Sequence, residues 1–217
     1  MNGFEGFRDS PEAPFYRAGA RSAEATWAEA TTRLERILRS AVTDAQYRAG
    51  AITPERICTW HRAIFRTTFE RDAGRVRADH EPVDFPVPVQ SGDEMRDLLI
   101  HGTLGHSAIM HELRFACEAF NATANALHEY ERTVETAEGV EPAATLYTAI
   151  LKIHPFVDGN LRAAYVALTV GLASLGLPAV DFRSVLDRHD ECMGRAIRND
   201  LQQTIDPLVR LIVELMS

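Results

Sequence analysis

A mainly α-helical bundle carrying one small β-hairpin is the architecture predicted for this 217-residue chain, and three observations predict it. Long stretches rich in Ala, Leu, Arg and Glu lie between a few Pro/Gly clusters, chiefly 3–19, 74–92 and 102–105. Within those stretches apolar residues recur every three or four positions, which lines one face of a helix. One segment behaves differently: 75–90, RVRADHEPVDFPVPVQ, alternates valine with other residues and is interrupted by three prolines. Length favours one compact unit with a small appendage, so residues 1–22 are expected to form a tail and 23–217 a single domain.

Thr53-Pro54-Glu55 is a helix start, with a capping hydroxyl and a proline in the first turn, and Ile57, Trp60, Ile64 and Phe65 follow at helical spacing. The segment 75–90 reads as a short hairpin or an extended edge, because proline removes ladder donors and confines a strand to an edge. Such an edge can pair with another chain. Ser91 and Glu94 form a capping-box pattern that predicts a helix through Met95, Leu98 and Leu99. Glu141-Pro142 is expected to open a helix through Leu146, Ile150 and Ile153, and Asp206-Pro207 one through Leu208, Leu211 and Leu215. The apolar run 163–180 is broken by Gly171, Gly176 and Pro178 and reads as a buried central helix rather than a membrane span.

The composition, 46% hydrophobic and 25% charged, excludes collagen-like, low-complexity and wholly disordered chains. Net charge is −8, from 23 basic and 31 acidic residues, with Lys152 the only lysine. A phosphate-backbone binder carries a basic excess, so the balance argues against nucleic acid and points to a small ligand or a protein partner. Cys58, Cys117 and Cys192 lie far apart with no CxxC spacing, which argues against a disulfide framework or a thiolate metal site. The expected compartment is the cytoplasm, with secretion as an effector left open; no membrane association is expected. His101, His106 and His111, spaced by five, do not share a helix face as zinc ligands need.

The densest chemistry lies at 154–162, HPFVDGNLR, between the apolar end of one helix and the apolar start of the next. Gly159 permits backbone conformations closed to other residues, and Asn160 with the following amides would form a helix N-terminus, which favours phosphate. Asp158 is the oxygen ligand type Mg²⁺ prefers, one carboxylate with phosphate oxygens and water completing the shell, and Arg162 can fork onto a phosphate. His154 is suited to accept a hydroxyl proton near neutral pH. Together these describe transfer from a nucleotide.

The run HPFVDGNLRAAY resembles the HxFx[D/E]GNGRxxR signature of the Fic/Doc family. The resemblance covers about 53–186, which it implies is the core of the domain: it extends to 53–69, with Trp60-His61-Arg62, to Ala73-Gly74-Arg75-Val76-Arg77, similar to that family's AGxxR segment before its substrate flap, and to 176–182, GLPAVDF. It implies a Fic-like helical fold and transfer of a nucleoside monophosphate, most often AMP from ATP, onto a Ser, Thr or Tyr hydroxyl of a target protein. By that resemblance His154 is the base, Asp158 holds Mg²⁺, Asn160 and the loop amides from Gly159 through Leu161 hold the phosphate under attack, and Arg162 binds the leaving pyrophosphate. Phe156 would anchor the loop in the core. The flap, placed at Val83, Asp84, Phe85 and Val87, would align the target by backbone pairing.

Two positions depart from the signature: Leu161 stands in place of glycine and Tyr165 in place of the second arginine. The Doc branch, which phosphorylates and works as a toxin paired with an antitoxin, is similar in both respects. A Doc-like kinase, a transferase using another phosphate-containing donor, and a degenerate member that binds without turnover are therefore alternative readings. Thr31–Glu35 matches two positions of the family's inhibitory [S/T]xxxE[G/N] helix, with Arg36 in the last place, which makes Glu35 a candidate for self-inhibition. Target identity and oligomeric state stay open.

Overall fold

A computed structural model describes residues 23–68, 71–79, 84–91, 94–129, 136–181, 184 and 206–216. The expected tail, 1–22, and flap residue Val83 lie outside the described residues. Among the described residues there are seven helices and one two-stranded sheet: α1 Ala23–Thr43, α2 Ala45–Arg48, α3 Pro54–Phe65, β1 Asp84–Ser91, β2 Glu94–His101, α4 His106–Glu129, α5 Thr136–Ile153, α6 Asn160–Ser174 and α7 Asp206–Leu215. The mainly helical fold follows the pattern of apolar spacing that predicts it.

Helix α6 is the centre of the bundle. Ala163 through Leu172 are all buried, and α5 and α1 pack along it, with α4 and α7 packed in turn against α5. A helix that is apolar all round is stable in water only when wrapped in this way. No helix among the described residues is long and apolar enough to cross a membrane.

Helix α3 starts as the sequence predicts. Thr53 is its cap, its Oγ1 accepting from Arg56 N at 3.2 Å, with Pro54 in the first turn, and Ile57, Trp60, Ile64 and Phe65 point into the core. The same buried stripe carries a histidine, His61. Arg33 on α1 ties the end of α3 down, donating to Ile64 O at 3.1 Å and to Glu29 Oε2 at 2.9 Å.

Three elements differ from expectation. Helix α5 begins at Thr136, before Glu141-Pro142, and carries Pro142 inside it. Proline removes only its own amide bond and disturbs one turn, and burial of Val140, Ala143, Ala144 and Tyr147 on either side holds the helix together. The capping-box reading at Ser91 and Glu94 is overturned: 94–101 is a strand, paired with β1 in the register Phe85↔Ile100, Val87↔Leu98, Val89↔Arg96. Cross-strand pairing supplies backbone partners that an isolated eight-residue helix could not offer more cheaply. The hairpin is consequently shifted toward the C-terminus of 75–90, spanning 84–101. Pro86 and Pro88 share one parity, so their missing donors fall on a single edge of the ribbon. Finally, Arg75–Asp79 is an irregular segment whose Val76 and Arg77 turn into the core.

Candidate active site

The loop between α5 and α6 divides into anchors and outward-facing groups. Pro155, Phe156, Gly159 and Asn160 are buried, whereas His154, Val157, Asp158, Leu161 and Arg162 are half-buried. Every charged or titratable side chain of the loop belongs to the second set.

Asn160 locks the loop to itself. Its Oδ1 accepts from Phe156 N at 2.9 Å and its Nδ2 donates to Phe156 O at 2.8 Å, so both ends of the amide are engaged within the chain. The side chain expected to hold a phosphate also shapes the turn through these two bonds, beside the backbone amides at the start of α6. No side chain caps that helix: its cap is Gly159, at φ +80°. A Cβ there would lie 2.3 Å from Phe65 Cε2 and 2.9 Å from His61 Nε2, so only glycine fits on both conformational and steric grounds.

His61 reaches the loop from α3. Gly74 N donates to its Nδ1 at 2.8 Å and its Nε2 lies 2.8 Å from Asp158 O, while the ring stacks on Phe156 with centroids 3.9 Å apart at 13°. Burial pushes its pKa down to about 4. The sequence offers a signal for this residue, a histidine within the apolar stripe of a helix, but not for its partner.

Arg77 is fully buried. Its Nε donates to His154 O at 2.7 Å, one Nη to Thr103 O at 2.9 Å and to Ile153 O at 3.3 Å, and its backbone N to Pro155 O at 2.9 Å. A buried guanidinium is costly unless its donors are filled, and the orphan carbonyls and negative dipole end of α5 fill them. Thr103 N also donates to Ile153 O at 3.2 Å, so the chain entering the hairpin and the chain leaving it are both stapled beside His154. Arg77 is the closing arginine of the AGxxR-like segment, but nothing in that pattern announces that its guanidinium is buried against the end of α5.

His154 has φ +52°, the only positive value at a non-glycine among the described residues. Such a conformation costs on the order of 1–3 kcal/mol and persists where neighbours over-determine it; the Arg77 bonds on either side of the residue do so here. The Leu151 carbonyl, which can only accept, lies 3.4 Å from Nδ1, so Nδ1 carries the proton and Nε2 holds the lone pair. Burial, with Arg77 adding to it against the bond to Leu151, lowers the pKa to about 4, so the ring is a neutral acceptor at pH 7.

The Asp158 carboxylate accepts from Gly159 N at 2.5 Å. Burial raises its pKa, opposed by that bond and by Arg162; burial pushes Arg162 down to about 10, opposed by Asp158. Among the described residues no group of three His, Cys, Asp or Glu side chains could hold a metal. One carboxylate fits Mg²⁺ only in the manner in which nucleotide phosphates and water complete the shell.

Leu161 packs against the core with its side chain half-buried. Tyr165, in the place of a second arginine, is buried, and its hydroxyl donates to Val180 O; burial raises its pKa. It ties α6 to 176–181. Glu35, the candidate for self-inhibition, is exposed on α1, whose Ala30, Leu34 and Ala41 are buried. Asp84, Phe85 and Val87 are in β1.

A helical bundle whose central helix is preceded by this loop, with a hairpin rooted beside it, defines a class, and the comparisons identify which. The family model of the Fic/DOC family matches residues 51–172, and the chain belongs to that family, whose members are typically transferases. Its fold is shared with solved structures of low identity. A Fic domain-containing signalling protein from Bacteroides thetaiotaomicron is 18% identical, with a TM-score of 0.65 over 91% of this chain and 71% of that one. BepC, a VirB-translocated effector from Bartonella tribocorum solved with AMPPNP bound, is 18% identical, with a TM-score of 0.62 over 92% and 90%. Fic-1 (residues 134–508) from C. elegans is 19% identical, with a TM-score of 0.61 over 92% of this chain; the chain spans 50% of that structure. No curated protein matches in sequence.

Proposed function

We propose that the protein transfers a nucleoside monophosphate, AMP from ATP, onto a hydroxyl side chain of a target protein. The observation that carries this reading is the Arg77 junction, which fixes a neutral His154 beside both roots of a hairpin able to pair with an extended segment. The target hydroxyl gives its proton to His154 Nε2 and its oxygen bonds to the α-phosphorus. The α–β phosphoanhydride bond breaks and pyrophosphate leaves. The first amides of α6 face the phosphate under attack, and Arg162 stabilises the leaving group. Mg²⁺, held by Asp158 with the phosphate oxygens, would supply charge neutralisation. Val83, Asp84, Phe85 and Val87 would align the target by backbone pairing. BepC, with AMPPNP bound, supports nucleotide as the ligand class.

A second reading rests on Leu161 and Tyr165. With a leucine at the phosphate turn and a buried tyrosine bonded to Val180 in place of a charge, a reversed nucleotide with the γ-phosphate at His154 would make the protein a Doc-like kinase. ATP labelled separately at the α and γ phosphates separates the two: label from the α position on the target supports nucleotidyl transfer, and label from the γ position alone overturns it in favour of phosphorylation. Binding without either label leaves a non-catalytic member.

A further inference from the structure

We propose that His61 is a positioning residue for the reaction: through one imidazole it sets the backbone of Asp158 and Gly159 against the root of the hairpin. The inference rests on the proposed function for its kinetic consequence, but its geometry stands separately. An amide N–H can only donate, so the 2.8 Å contact from Gly74 makes Nδ1 an acceptor. A neutral ring carries one proton, which is then on Nε2 and is donated to the Asp158 carbonyl at 2.8 Å. The opposite tautomer would break both bonds.

The ring cannot turn to escape this assignment. Phe156 stacks on one face at 3.9 Å, Phe65 leans against it with centroids 4.7 Å apart at 44°, and the space beside Nε2 is the space a Cβ on residue 159 would fill. Asp158 is therefore held at both ends, its carbonyl by His61 and its carboxylate by Gly159 N. Its side-chain direction follows from packing rather than from its own rotamer choice, as a ligand or phosphate-facing group requires. The same ring joins the segment that enters the hairpin, through Gly74, to the loop that bears the base. A single side chain thus sets where the target is presented relative to where the nucleotide is bound.

Two substitutions split the two halves of the ring's role. His61→Asn keeps an acceptor where Nδ1 stands and loses the donor to Asp158; His61→Gln keeps a donor where Nε2 stands and loses the acceptor for Gly74. Both delete the same stacking, so their melting temperatures should fall together. With α-labelled ATP, His61→Gln is expected to keep kcat/KM within about fivefold of wild type and His61→Asn to lose about tenfold or more, the scale of one buried hydrogen bond. Equal losses, or the reverse order, overturn the proposal.

Amide and imidazole ¹⁵N spectra decide the matter without catalysis. The wild-type ring should show an unprotonated Nδ1 and a protonated Nε2, the Asn variant should move the Gly159 amide, and the Gln variant should move the Gly74 amide. A reversed wild-type tautomer, or both amides moving alike in both variants, overturns the assignment. Absence of label transfer by the wild type would sink the proposed function alone, and the spectra would still judge His61.

Discussion

Two asparagines each clamp the backbone of one other residue with both ends of the amide. Asn121, midway along α4, accepts from Ile52 N at 3.0 Å and donates to Ile52 O at 2.8 Å, bridging 69 positions of sequence. Asn160 makes the same pair of bonds to Phe156, four residues away, at 2.9 and 2.8 Å. A left-handed glycine accompanies each. Gly50 has open space where a Cβ would go, whereas at Gly159 that space belongs to Phe65 and His61. The chemistry is identical and the consequences differ. Around Ile52 the clamp ties the short segment before α3 to α4. Around Phe156 it is wedged among buried rings and fixes the residues on either side of it, His154 and Asp158, so a distortion is transmitted to the proposed base and carboxylate.

The strongest test of that difference removes what the second clamp holds. His154→Ala should lower transfer by roughly 10²–10⁴-fold, the worth of a general base, with the melting temperature little changed; retained turnover in a label-transfer assay would remove the imidazole from the chemistry. Next in size are the glycines. Gly159→Ala forces a Cβ to 2.3 Å from Phe65 and should cost about 2–4 kcal/mol, visible as a melting temperature lower by roughly 5–10 °C. Gly50→Ala meets no atom within 4 Å and should cost only the left-handed penalty of about 1 kcal/mol. Equal shifts would show that the two glycines are alike after all.

The asparagines themselves come third. Asn160→Ala and Asn121→Ala each leave a backbone N–H and C=O without their partner, so each should lose about 1–3 kcal/mol in denaturant titrations. Only Asn160→Ala should also lose transfer, by about tenfold or more. A comparable activity loss in Asn121→Ala would break the comparison.

The smallest effect on transfer near neutrality is that of pH. His154, ordinarily near 6.5, is lowered to about 4, so it stays a proton acceptor well below pH 6.5, and the acid limb of kcat/KM should fall near its lowered value. Stability should move in the same window. His61 and His154 are both lowered to about 4, the unfolded chain binds more protons between there and 6.5, and stability is lost as pH falls through that range. A flat unfolding free energy from pH 6.5 to 4.5 would contradict the burial of both rings.

Local signals carried a good part of this molecule. The cap at Thr53, the opening of α7 at Asp206-Pro207 and the apolar run that becomes α6 are each decided by a few neighbouring residues. Where two local signals competed, the outcome was set from a distance: Ser91 and Glu94 satisfy a capping pattern, yet Asp84–Ser91 offered 94–101 a partner strand. At the candidate site, residue types and order announced a base, a carboxylate, a glycine turn and a guanidinium. They did not announce that Asn160 would turn inward, or that Glu35 would face solvent.

By itself, then, the order of residues determined the chemistry available in 154–162 and its setting between two apolar helices, because a turn, a cap and an apolar stripe are properties of short stretches of chain. Only the tertiary structure decided which groups aim that chemistry. Arg77 and His61 lie 77 and 97 positions from the carbonyls of His154 and Asp158 that they hold. Such bonds form only once the core has excluded water from both partners, a condition that packing sets and no local pattern encodes.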